Sequence, residues 1–210
     1  HSGYGHYSEE SRKVMNIIRD LTPMVQQISI DEAFLDVSDL PDSGMVIARR
    51  LQAEIFTETR LPTSLGVASN KLMAKIANNI GKAEHKKPTP PMAITVVPPG
   101  EEAAFLENLS VRELWGVGPK MAEKLKLMGF KTIGQIAAMP VDYWEKVFGK
   151  HGRDLWQRSQ GIDDRDVQED RTDRVRLAGA GYPGWGCAGR RRRRRQHRDG
   201  RYMRPGPGSG

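Results

Sequence analysis

The chain has 210 residues, a formal charge of +7 and 38% hydrophobic residues, enough apolar content for one medium domain or two small ones. Its apolar runs fall short of the roughly 18 to 20 residues a bilayer span needs, and no charged-then-apolar leader opens it. A single cysteine, Cys187, excludes an internal disulfide, so a cytoplasmic protein without a membrane partner is expected. His1 opens the chain and the first methionine is Met15, which points to a fragment or a processed form. The charge is unevenly placed. From Glu169 onward there are 12 Arg, no Lys and 4 acids, leaving 21 basic and 22 acidic residues before it. The body is balanced and the basicity belongs to the tail.

In chain order, residues 8–21 place Val14, Ile17, Ile18 and Leu21 at helical spacing, with Glu9 and Glu10 read as first-turn acids and Pro23 closing the helix. Residues 26–37 (QQISIDEAFLDV) are rich in β-formers and suit a strand or hairpin. A helix fits 44–59, with Val46, Ile47, Leu51, Ile55 and Phe56 as its apolar stripe; a short buried strand fits 64–68, a helix 70–80 and a strand 93–97. This order describes an α+β layer, a small mixed or antiparallel sheet covered by helices. After Pro98-Pro99-Gly100 only short helical patterns follow, over 101–107, 110–115, 119–128, 132–138, 141–148 and 151–160. Beyond about 169 the sequence becomes Gly, Arg and Pro, with Arg190 to Arg195 uninterrupted, and is expected to be disordered. The expected organisation is 1–99, 100–168 and a 169–210 tail.

Asp31 and Glu32 adjoin one another among apolar residues. Two-metal phosphoryl transfer needs carboxylates converging on paired cations, whereas two neighbouring acids are more commonly a solvated turn. Side chains of neighbours on a flat strand point to opposite faces. A shared role therefore predicts a hairpin with its tip at 30–32 and arms at 26–29 and 33–37.

The segment Ser29-Ile30-Asp31-Glu32-Ala33-Phe34-Leu35-Asp36-Val37 is followed about 30 residues later by Leu65-Gly66-Val67-Ala68-Ser69-Asn70-Lys71-Leu72-Met73-Ala74-Lys75-Ile76-Ala77. In order and spacing these motifs resemble the palm of Y-family translesion DNA polymerases of the bacterial polymerase IV type, and the likeness runs from about Tyr7 to Gln168. The resemblance implies that Asp31 and Glu32 are catalytic metal ligands, with two Mg2+ ions in the complete enzyme. It also implies that Lys82 is a triphosphate ligand, although Ala83-Glu84-His85-Lys86-Lys87-Pro88 departs from the family's commoner Lys-Pro-Asp/Asn-Gly. Lys86 and Lys87 read as a solvated face, and His85 as an exposed loop histidine rather than a general base.

Leu114-Trp115-Gly116-Val117-Gly118-Pro119-Lys120 lies between short helices, and Gly129-Phe130-Lys131-Thr132-Ile133-Gly134 follows. The pattern fits a helix-hairpin-helix. Gly116, Val117, Gly118 and Lys120 would then meet a DNA backbone through exposed amides and a cation, without reading sequence. Trp115, Phe130, Trp144, Phe148 and Trp156 are expected in the core of this module, which resembles the family's thumb.

In the family, an N-terminal strand with the first metal-binding Asp and a fingers domain complete the palm, and a little-finger domain follows the thumb. None of these is recognised in the sequence. The Arg-only tail fits out-of-frame translation of a GC-rich gene, or a native basic arm. Two readings follow: part of an error-prone, DNA-directed DNA polymerase for lesion bypass and repair, expected to be inactive by itself, and a non-catalytic DNA-binding fragment. The implied partners are primer-template DNA and deoxynucleoside triphosphates, with a sliding clamp in the full-length protein; the chain is expected to be a monomer.

Overall fold

The computed structural model describes residues 3–85, 89–169 and 184–188. The first helix, α1 (Gly3–Leu21), ends where Thr22 and Pro23 turn the chain into an antiparallel hairpin, β1 (Val25–Ser29) and β2 (Glu32–Asp36). Then come α2 (Gly44–Thr59), β3 (Ser64–Ala68), α3 (Lys71–Glu84) and β4 (Ile94–Val96). Caps set two of the helix starts. The Ser43 hydroxyl accepts from the Val46 amide, and the Asn70 side chain accepts from Met73, each satisfying a first-turn donor.

The sheet is mixed, in the order β1-β2-β5-β3-β4, where β5 is Gly184–Ala188. β5 runs parallel to β2 and to β3 and joins them, and β3 is parallel to β4. The period-2 alternation of strands assigns side chains to two cores. Ala33 and Leu35 of β2, with Leu65 and Val67 of β3, pack under Val14, Met15 and Ile18 of α1 and Ile47, Leu51 and Ile55 of α2. Phe34 and Ala68 face the other way, toward Leu72, Met73, Ile76 and Ala77 of α3. Gly66 lets α3 lie directly on β3: a Cβ there would meet the Ala74 carbonyl and come within 2.7 Å of the Asn78 amide nitrogen.

Beyond Gly100 the elements are helical: α4 (Glu102–Leu106), a 3₁₀ turn at Val111–Glu113, α5 (Pro119–Leu127), α6 (Ile133–Ala138), α7 (Val141–Phe148) and α8 (Lys150–Ser159). Trp144 is fully buried at their centre, donates its indole N–H to the Ile136 carbonyl at 3.0 Å and stacks on Phe148. Leu106, Val111, Leu114, Leu125 and Ile136 share one continuous core with Phe34 and α3.

After α8 the chain returns as a strap across the start of α3. Asn70 donates to the Gly161 carbonyl at 2.9 Å, the Leu72 amide to the Asp163 carboxylate at 3.0 Å and the Lys71 ammonium to the Asp166 carbonyl at 2.7 Å.

Several expectations need correction. α1 begins at Gly3, so Glu9 and Glu10 lie mid-helix rather than in a first turn. Val46 and Phe56 of the expected α2 stripe are exposed, and Ala48 is buried instead. α3 continues through Gly81 to Glu84, because Gly81 packs against the Thr95 side chain of β4 and so belongs to the interior. Of the tail expected to be disordered, 184–188 form β5; a strand between two open edges is recruited by backbone hydrogen bonding, which hydrophobic periodicity does not report. The rest of that tail lies outside the described residues, as do Lys86 and Lys87. Among the described residues, no helix is long and apolar enough to cross a membrane.

Candidate active site and nucleic-acid interface

The β1–β2 hairpin turns at Ile30 and Asp31, and its register shifts between Gln27 and Ser29. That irregularity resolves the pleat problem: Asp31 is the turn residue and Glu32 the first of β2, so strict alternation does not separate them. The Ser29 hydroxyl donates to Asp31 Oδ1, and the Ser11 hydroxyl of α1 ties down the Ile30 carbonyl. Both acids are half-buried at the sheet's end.

Across from them runs α3. The Lys75 ammonium is paired directly with Glu32 Oε1. Lys82 comes two turns later on the same helix. Burial pushes its pKa below the ordinary 10.5, the neighbouring Lys75 charge acts in the same direction, and Glu32 and Asp31 oppose them. Two acids and two lysines therefore converge, from the hairpin tip and one helical face. Lys75 carried no role in the sequence reading; its i, i+7 spacing from Lys82 was the available signal. Lys71, four residues before Lys75, is structural: it is buried, bonded to Gln26 and Asp166, and close to the Phe34 ring.

Magnesium favours hard oxygen donors, which Asp31 and Glu32 supply, and Glu32 already holds a cation in Lys75. The donor chemistry fits, as two members of a larger set. Among the described residues, no group of three or more His, Cys, Asp or Glu is placed to hold a metal. His85 lies elsewhere, in the cleft lined by Phe56, Arg60 and Met92, partly buried rather than exposed, with Nε2 at 2.9 Å from the Thr89 carbonyl oxygen.

The glycine hairpin precedes α5. Gly116 has φ +95°, Val117 N–H closes onto the Leu114 carbonyl, and Pro119 occupies the first turn of α5. The first backbone bond into α5 runs from Ala122 to Gly118, so the amides of Gly118 and Lys120 have no backbone acceptor among the described residues. Lys120 is exposed beside them. The second half of the unit is held by Gly129 at φ +94° and by a capping box between Thr132 and Gln135. Trp115, at the hairpin's base, packs on Phe34 of β2 with ring centroids 5.7 Å apart. Sequence reasoning missed Arg158, whose guanidinium lies on Gly116, and Asp163, the strap carboxylate.

Two family models match the chain: the impB/mucB/samB family over residues 2–79 and the DNA polymerase-iota thumb domain over 112–163. DNA polymerase IV of Salmonella typhimurium is 41% identical over 168 residues, covering 79% of this chain and 46% of the relative. DNA polymerase IV of Escherichia coli (strain HS) is 39% identical over the same coverage. Among solved structures, DinB from Sulfolobus solfataricus superposes with a TM-score of 0.69 at 27% identity, over 79% of this chain and 48% of that one. An insertion ternary complex of Dbh DNA polymerase gives 0.68 at 28% identity, over 79% and 47%. The chain thus spans a little under half the length of the curated relatives it matches.

Proposed function

Because the chain belongs to the Y-family DNA polymerases, with part of the palm followed by the thumb, we propose that it serves error-prone, template-directed nucleotidyl transfer past damaged bases. The observation that carries this reading is the hairpin tip, where Asp31 and Glu32 face Lys75 and Lys82. Asp31 and Glu32 would hold Mg2+, which when bound supplies charge neutralisation and an activated 3′-hydroxyl. Lys82, half-buried behind them, would meet the triphosphate of the incoming nucleotide as a point charge. The Ser29 hydroxyl orients Asp31. The amides of Gly116, Gly118 and Lys120, with the Lys120 ammonium, would grip the primer-template backbone, whereas the Val117 amide is committed to the Leu114 carbonyl and Val117 would serve only to shape the turn. We place the division between palm and thumb at residues 99 and 100, the activity in the cytoplasm, and a sliding clamp among the partners of the full-length protein.

A second reading is supported by the two-carboxylate count among the described residues: binding of primer-template without catalysis by this chain alone. Primer extension with magnesium and four nucleotides, run beside duplex-binding measurements, separates the two. Extension abolished by a combined Asp31→Ala, Glu32→Ala change supports the catalytic reading. Duplex binding without extension, weakened by Lys120→Ala, supports the second. A chain that neither extends nor binds refutes both.

A further inference from the structure

The hairpin has a neighbour that the motif itself does not contain. Arg158, in the last turn of α8, reaches back to Gly116, and a Cβ built on that glycine would lie 3.3 Å from Arg158 Cζ and closer still to Nη1. The guanidinium therefore rests on bare backbone. A side chain there would displace the guanidinium from its seat, and only glycine readily takes the φ of +95° found there. One residue thus meets two demands, a turn and a seat for a cation.

A second arginine approaches the same loop and provides a contrast. Arg165 lies over the Trp115 ring at 4.7 Å, but its Nε and Nη2 are bonded to Asp163 at 2.7 and 3.0 Å. Its charge is committed. Arg158 has no hydrogen bond or ion pair to its guanidinium among the described residues. Its backbone, in contrast, is fixed: the Arg158 carbonyl accepts from Gly161 at 3.0 Å, and the Ser159 hydroxyl donates to the Trp156 carbonyl at 2.7 Å. A half-buried cation on a rigid helix end, set against a loop in which the Gly118 and Lys120 amides have no backbone acceptor among the described residues, lacks an anion.

We propose that Arg158 is a DNA-phosphate ligand of the hairpin, donating from the free edge of its guanidinium to the same backbone stretch that the loop amides receive. The inference rests on the DNA-binding reading above and adds to the hairpin a residue distant in sequence. A planar fork suits a phosphate bidentately where an ammonium would not, and the contact reads no base.

The test is the salt dependence of duplex binding by the whole chain, measured by fluorescence anisotropy with labelled primer-template, for the parent, Arg158→Gln and Arg158→Lys. Each phosphate contact contributes about 0.9 to the slope of log affinity against log salt on duplex DNA. R158Q is expected to bind about five- to tenfold more weakly and to lose roughly one such increment, while R158K keeps the slope and loses about threefold in affinity. The arginine-rich segment beyond 169 contributes equally to parent and variants, so the difference isolates one charge. Weaker binding with an unchanged slope would mean that Arg158 only props the loop, and unchanged binding would remove it from the interface. Either result overturns the proposal. If R158Q does not fold by circular dichroism, R158K decides, and parental affinity there overturns it as well. Failure of the parent to bind duplex would instead overturn the DNA-binding reading itself.

Discussion

Asp163→Ala is the most searching single change to the strap. Asp163 is 5% exposed at its side chain, and its carboxylate accepts the Leu72 amide at 3.0 Å while pairing with Arg165 at 2.7 Å. Leu72 is fully buried. Alanine leaves its N–H without an acceptor and without water, a cost of about 1–3 kcal/mol. The Arg165 pair, half-exposed on the arginine side, adds at most about 0.5 kcal/mol. The expected loss is about 2 kcal/mol. Urea unfolding followed by tryptophan fluorescence should show it as a lowered midpoint at constant slope. Hydrogen exchange at the Leu72 amide should quicken by about thirtyfold, the same free energy in kinetic form. Asp163→Asn retains an acceptor and should lose less than half as much. A D163A chain within about 0.5 kcal/mol of the parent, with unaltered exchange at Leu72, would refute the claim that the strap carboxylate secures α3.

Gly66→Ala should cost about 2 kcal/mol or more, because the new methyl meets backbone atoms of α3 that no rotamer can move; a melting curve matching the parent would contradict that packing. Thr132→Ala breaks a reciprocal capping box and should lose about 1 kcal/mol in the same assay. Lys71 has its pKa lowered from 10.5, first by burial and then by the Arg165 charge. Between that lowered value and 10.5 the unfolded chain binds more protons, so the Lys71 contribution to stability rises with pH. Denaturation midpoints of the parent relative to Lys71→Met should accordingly increase through that window, and a decrease would reverse the sign of the argument.

The boundaries of α2 and β3 match the sequence reading because local signals agree there: apolar residues at helical spacing over 44–59, then a short apolar run at 64–68 between Pro62 and Asn70. The hairpin tip was legible for a different reason, since two adjacent acids with a shared role exclude a flat strand. The sequence reading ends α3 four residues early; the helix runs on through Gly81, which is a packing surface against Thr95 of β4. Lys75 was visible only as one of several lysines. Its pairing with Glu32 joins residues 43 apart in sequence, which no local pattern encodes. Arg158 and Asp163 were hidden in the same way, as surface-type residues given their setting by chain return. β5 was hidden more deeply, as its partners β2 and β3 recruit a backbone rather than a side-chain pattern.

The contact between Phe34 and Trp115 acts as a tie. Phe34 stands two residues beyond Glu32, Trp115 one residue before Gly116, and their rings touch in a shared core. The proposed grip and the proposed metal site are therefore joined through two packed aromatic rings in one shared core. Loss of either ring, by Phe34→Ala or Trp115→Ala, would loosen the tie between the two hairpins without touching either set of proposed ligands.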